Sequence, residues 1–182
     1  MQRLVEDMKT LHVGRAALVL SNTATASGLN KAKAMGVKTK LIDHHSYEEV
    51  LRTFDETLHE CLLAHSIDII CLAGFMRVLG KKFVRKWEGR ILNIHPSLLP
   101  KFKGLNTHQR AIDAGESLAG CSVHEVLAEL DAGPILNQAS LSILPDDTAV
   151  SLAARVLELE HQLYPVTLRS FLTQKNITKL IR

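Results

Sequence analysis

Three observations predict an α/β fold with a largely parallel sheet. Short β-rich apolar runs alternate with helix-patterned segments, the connections are short, and the runs stop at glycine or turn residues. The last two strands follow one another with no helix between them, which predicts an antiparallel or mixed edge.

The elements read in order. Met1 to about Thr10 is helical, with Leu4, Val5 and Met8 on one face. Ala16–Asn22 is a buried strand ending in turn residues. Ser27–Met35 is a helix stopped by Gly36, and Thr39–Ile42 is the next strand. Tyr47 to about His65 is a long amphipathic helix. Ile67–Leu72 is a strongly apolar strand ending at Ala73-Gly74. Lys81–Lys86 is a short helix, followed by a strand running into Asn93. Thr107–Ala114 is a helix stopped by Gly115. Strands follow at about Gly120–Leu127 and Ile135–Ile143, and a long helix from Thr148 to about Leu172 closes the fold. There is no internal repeat and no low-complexity segment, so residues 1–182 read as a single domain.

Composition excludes several classes. Hydrophobic residues make up 46% of 182, which suits a sizeable core. A net charge of +3 is too weak and too scattered to argue for nucleic acid. No apolar run approaches the ~20 residues of a membrane helix, and the acidic start Glu6-Asp7 does not suit a signal peptide. Cys61, Cys71 and Cys121 are well separated and odd in number, which points to reduced thiols in the cytoplasm rather than a zinc site or a disulfide framework. His44-His45 reads as a surface loop pair with no third ligand in range, so no metal is expected. Lys81-Lys82…Arg85-Lys86 reads as a solvated helix face.

The chemistry concentrates at Asn93-Ile94-His95-Pro96-Ser97-Leu98-Leu99-Pro100. Asn93 and His95 sit two apart, so on a strand both side chains face the same way. Pro96 and Pro100 prevent a regular ladder from continuing. An amide donor and an imidazole are thus presented at a strand end, where ligands bind in open α/β sheets. Downstream, Asp131-Ala132-Gly133-Pro134 is a tight turn that can present a carboxylate. Near His95, that carboxylate would favour the protonated imidazole. Asn93 could donate to the same oxygen as His95, and one such donor is typically worth ~3 kcal/mol of barrier. The trio suits attack by an amine on a carbonyl carbon. With no activated Ser or Cys, direct transfer is expected.

Asn-Ile-His-Pro-Ser-Leu-Leu-Pro, Ser122-Val123-His124 and Leu130-Asp131-Ala132-Gly133-Pro134 together resemble the phosphoribosylglycinamide formyltransferase family of purine biosynthesis. The likeness extends to Ser21-Asn22, Leu72–Arg77 and Glu160-His161…Tyr164-Pro165, nearly the whole chain. The Asn-x-His-Pro-Ser core is shared by other 10-formyltetrahydrofolate enzymes, whereas Leu105-Asn106-Thr107-His108 favours the glycinamide branch. The resemblance implies a Rossmann-like formyltransferase fold with helices on both faces of the sheet. It implies that Asn93 and His95 polarise the formyl group, that His95 acts as acid, and that Asp131 supports its charge and organises water. It implies 10-formyltetrahydrofolate as co-substrate, gripped by Met76, Arg77, Val78 and Leu79 with Asn93, Val126, Leu127 and Glu129 along the same pocket. Glycinamide ribonucleotide would meet Glu160, Pro96 and His124, although a structural role for His124 weighs equally. The partners implied are small molecules, and the protein is expected to be a cytoplasmic monomer or homodimer.

The chain also departs from that family. The family opens with a strand and a Gly-x-Gly-Ser-Asn loop that cradles the substrate phosphate, whereas this chain starts at about the first turn of the helix that follows. Without that strand its neighbours lose hydrogen-bond partners, and a start upstream of Met1 is the favoured expectation. Glu125 stands where an aromatic is usual, a family arginine falls on Leu51 beside Arg52, and the carboxyl tail is short. The alternatives are a sister formyltransferase or deformylase, or a catalytically impaired folate-binding remnant.

Overall fold

Turn and cap chemistry sets several element boundaries. The computed structural model describes residues 1–11, 14–43 and 53–174. The predicted helix start at Tyr47, the His44-His45 pair and Leu51-Arg52 lie outside the described residues. The chain divides into two units, one within residues 1–68 and one beginning at Ile69.

The first unit contains α1 (Gln2–Leu11), β1 (Val19–Ser21), α2 (Ser27–Ala34), β2 (Thr39–Leu41) and α3 (Phe54–Ala64). β1 and β2 pair in parallel, with Val19 opposite Thr39. Val5, Ala32 and Val37 form a small core against which Met1, Ala16, Val19 and Met35 pack. Gly36, at φ 77°, ends α2 in a left-handed conformation that costs a glycine little. Thr53 and Glu56 form a reciprocal capping box at the start of α3.

The second unit contains β3 (Ile70–Leu72), α4 (Lys81–Lys86), β4 (Ile91–His95), α5 (Thr107–Asp113), β5 (Leu118–Glu125), β6 (Ile135–Ser142) and α6 (Ala149–Gln174). Its sheet runs β3-β4-β5-β6. β3 and β4 are parallel with α4 in the crossover, while β4–β5 and β5–β6 are antiparallel, so the sheets of this α/β fold are parallel and mixed. α6 lies across β5 and β6. It buries Leu152, Val156, Tyr164 and Phe171, while Ile91, Leu92, Cys121 and Val123 are buried on β4 and β5. Tyr164 donates its hydroxyl to Leu92 O at 3.0 Å, satisfying a polar atom in that apolar layer.

Two strands start later than the apolar runs predict. Ile67 N–H closes the end of α3 on Leu62 O, and Ser66 takes φ 51°, so β3 begins only at Ile70. Residues 16–18 likewise precede the paired segment Val19–Ser21.

Candidate active site

The end of β4 carries the site. Asn93 pairs with His124 of β5 across the antiparallel ladder. Asn93 Nδ2 lies 3.1 Å from His124 Nε2, and His124 Nδ1 lies 3.0 Å from Glu125 O. A carbonyl only accepts, so Nδ1 carries the proton and Nε2 accepts from the Asn93 amide. His124 is 1% exposed, and burial pulls it below the ordinary histidine range, in keeping with that neutral tautomer.

His95 ends β4. Its Nε2 donates to Phe102 O at 3.0 Å, and its Nδ1 stands 3.5 Å from Asp131 Oδ2. Both ring nitrogens therefore face oxygen atoms, Nε2 at hydrogen-bond distance and Nδ1 at ion-pair distance. Asp131 Oδ1 is 3.6 Å from His124 Nε2, so one carboxylate stands between two buried imidazoles. Asp131 itself is held by the Gly104 N–H, which donates to Oδ2 at 2.9 Å. The segment after Pro96 is thus part of the site through its backbone. Phe102, Gly104 and Asn106 all have positive φ, at 55°, 79° and 56°, turning a carbonyl toward His95 and an amide toward Asp131.

Ser122 anchors this segment from beneath. Its Oγ donates to Ser97 O at 2.7 Å and accepts from Leu99 N–H at 3.0 Å and from Gln138 Nε2 at 2.7 Å. The Asp131 turn depends on Gly133, where a Cβ would lie 1.7 Å from Glu125 O. Glu125 N–H donates to Pro134 O at 3.0 Å, closing the turn against β5.

A groove opens beside these groups. Arg77, Val78, Leu79, Asn93, Val126, Leu127 and Glu129 line it, as do His124 and Asp131. Leu72, Phe75, Val84, Ala128 and Leu130 also line it, without having been assigned from sequence. Met76 is outside the lining and 77% exposed, beside Val78 at 71%. Val78 is thus an exposed apolar side chain on the lining of the groove. Pro96 follows His95 directly, outside the lining, and Glu160 lies on α6, also outside it. Burial pushes the Glu160 carboxyl up to about 7, so it titrates near neutrality. Burial also pushes the Cys71 and Cys121 thiols up to about 11 and about 12, which leaves both unreactive at neutral pH. Among the described residues, no cluster of His, Cys, Asp and Glu is arranged to hold a metal ion.

Phe102 O and Gly104 N–H, which hydrogen-bond the candidate residues His95 and Asp131, are the groups that side-chain reasoning missed. The Gly104 and Asn106 turn chemistry was the available signal, since both residue types tolerate positive φ.

Comparison with known proteins bears on this geometry. The family described as formyl transferase matches residues 1–168. The trifunctional purine biosynthetic protein adenosine-3 of Gallus gallus is 48% identical over 153 residues, 84% of this chain. The chain spans only 15% of that relative's length. The phosphoribosylglycinamide formyltransferase of Haemophilus influenzae is 41% identical over 157 residues, covering 86% of this chain and 74% of the relative. The crystal structure of phosphoribosylglycinamide formyltransferase from Brucella melitensis superposes with a TM-score of 0.87 at 46% identity, over 94% of this chain and 88% of that one.

Proposed function

This chain belongs to the formyl transferase family, and from that premise we propose that it transfers a formyl group from 10-formyltetrahydrofolate to the amine of glycinamide ribonucleotide in purine biosynthesis. Relatives bearing the name phosphoribosylglycinamide formyltransferase, matched over most of their length, support this substrate pair. The observation that carries the reading is the Asp131 carboxylate set 3.5 Å from His95 Nδ1 and 3.6 Å from His124 Nε2, at a groove that Asn93 also lines.

In this reading the amine nitrogen attacks the formyl carbon, and the C=O electron pair moves onto oxygen. Asn93 Nδ2 has two N–H bonds. One is engaged by His124 Nε2, and the second donates to that oxygen. His95 Nε2 is engaged by Phe102 O, so the proton it delivers sits on Nδ1, the nitrogen facing Asp131. Asp131 stabilises the imidazolium and takes, through water, the proton released by the attacking amine. Collapse of the tetrahedral intermediate breaks the bond to the folate nitrogen, which leaves with the proton from His95. Neither a metal nor an enzyme-bound covalent intermediate is needed.

Val78, Leu79, Val126 and Leu127 give the groove an apolar wall that fits a pterin ring, and Asn93, His124 and Asp131 give it a polar end. Met76, Arg77 and Glu129 complete the folate contacts, and Pro96 and Glu160 face the ribonucleotide. The family match runs from residue 1 to 168, supporting one formyltransferase domain. No described helix is long and apolar enough to cross a membrane; a cytoplasmic monomer or homodimer acting on small molecules belongs to the same proposal.

Asp131→Asn tests it. The side chain keeps its size and loses its charge, so the circular dichroism spectrum stays unchanged while formyl transfer falls by at least about 100-fold. Turnover near that of the unaltered chain would overturn the assignment.

A further inference from the structure

The loop that clamps the His95–Asp131 pair is itself held from outside. Arg110, on α5, donates through Nη1 to Lys103 O at 2.6 Å and to Leu105 O at 3.2 Å. Its guanidinium lies 5.4 Å from the centroid of the Phe102 ring. These contacts bracket Gly104, whose N–H holds Asp131, and rest on Phe102, whose carbonyl holds His95. Residues 102–106 include three with positive φ, Phe102, Gly104 and Asn106, two of them not glycine, a conformation that persists only when its surroundings impose it. Arg110 lines neither the groove nor the imidazole cluster.

We propose that Arg110 is a positioning residue that fixes the Phe102 carbonyl and the Gly104 amide, and through them the orientation of His95 and Asp131. Lysine is an incomplete substitute at this position: an ammonium can reach the two carbonyls that Arg110 serves through the single nitrogen Nη1, but it lacks the planar guanidinium over the Phe102 ring. The proposal rests on the formyl-transfer reading for its kinetic consequence, but not for its structural one.

The test uses the full chain with Arg110→Ala and Arg110→Lys. Formyl transfer should show kcat lowered about tenfold to a hundredfold in Arg110→Ala, with KM for the formyl donor within about twofold. Lysine should recover only part of that loss. In an Asp131→Asn background, Arg110→Ala should cause no comparable further loss, because the clamp then has no pair to orient. Independently of turnover, ¹⁵N-histidine NMR of the unliganded protein should show the hydrogen-bonded Nε2–H of His95 shifted or broadened in Arg110→Ala, at an unchanged melting temperature. Unaltered His95 signals in Arg110→Ala would overturn the proposal. So would an equal fractional loss in both backgrounds. If the unaltered chain transfers no formyl group, the functional reading fails while the NMR comparison still decides the role of Arg110.

Discussion

Asn93 and His124 face each other across the antiparallel β4–β5 pair, and the Asn93 amide donates to His124 Nε2 at 3.1 Å. The opposite ring nitrogen is occupied by Glu125 O, so the acceptor nitrogen is fixed toward Asn93. His124→Leu preserves bulk in a fully enclosed position but removes that acceptor, freeing the Asn93 amide to rotate. The expected result is a fall in kcat of about tenfold, the worth of one neutral hydrogen bond near 1.4 kcal/mol, with KM for the formyl donor nearly unchanged. A rise in KM with kcat unchanged would mean that His124 contacts substrate rather than orienting Asn93.

Gly133 is the point at which the Asp131 turn meets β5. A Cβ there would stand 1.7 Å from Glu125 O and 2.8 Å from Glu125 C, both backbone atoms of a paired strand. Gly133→Ala therefore forces the turn away from β5 and carries Asp131 with it. A destabilisation of about 2–4 kcal/mol is expected, lowering the melting temperature by roughly 5–15 °C. Activity measured well below that melting point should fall by a much larger factor. Calorimetry beside a low-temperature assay separates the two effects, and an unchanged melting point would contradict the close approach.

Ser122 serves three partners at once, Ser97 O, Leu99 N–H and Gln138 Nε2. It is fully buried, so water cannot replace a lost bond. Ser122→Ala should cost about 2–3 kcal/mol, read as a lower urea midpoint at constant slope. A midpoint equal to that of the unaltered chain would mean that the Pro96–Pro100 segment holds its shape without this hub.

The positions of elements were legible because apolar runs and glycine stops are local signals. Lys81–Lys86 matches its predicted bounds, and Gly36 and Gly115 both take positive φ just beyond helices. Strand ends were less legible because a ladder needs a partner: Ile67 looks like strand but closes a helix. Asn93, His95 and Asp131 could be singled out as side chains whose chemistry is readable from residue type. Their coming together is a matter of geometry, as is the role of His124, which depends on register with a strand 31 residues away. Phe102 O and Gly104 N–H were illegible because every residue has a carbonyl and nearly every one an amide. Which way these point depends on φ values that Gly104 and Asn106 hint at and Phe102 does not.

Glu160 links stability to pH in a direction opposite to most carboxylates. Burial raises its folded value to about 7, above an ordinary value of 4.5. The unfolded chain therefore ionises first as pH rises, and each further step toward pH 7 favours unfolding. The contribution of Glu160 is fully present below about 4.5 and lost as pH climbs through about 7. Its charge also raises the buried Cys121 thiol, a neighbour that supplies no compensating cation. Glu160→Gln keeps the shape and removes the titration. Melting temperatures taken from pH 5 to pH 8 should decline less steeply for this variant, with the two proteins most alike at pH 5 and the variant more stable at pH 8. Parallel curves would mean that the carboxylate is solvated in the native state and that its burial carries no linkage. A steeper decline for the variant would mean that the ionised form is the one the fold stabilises.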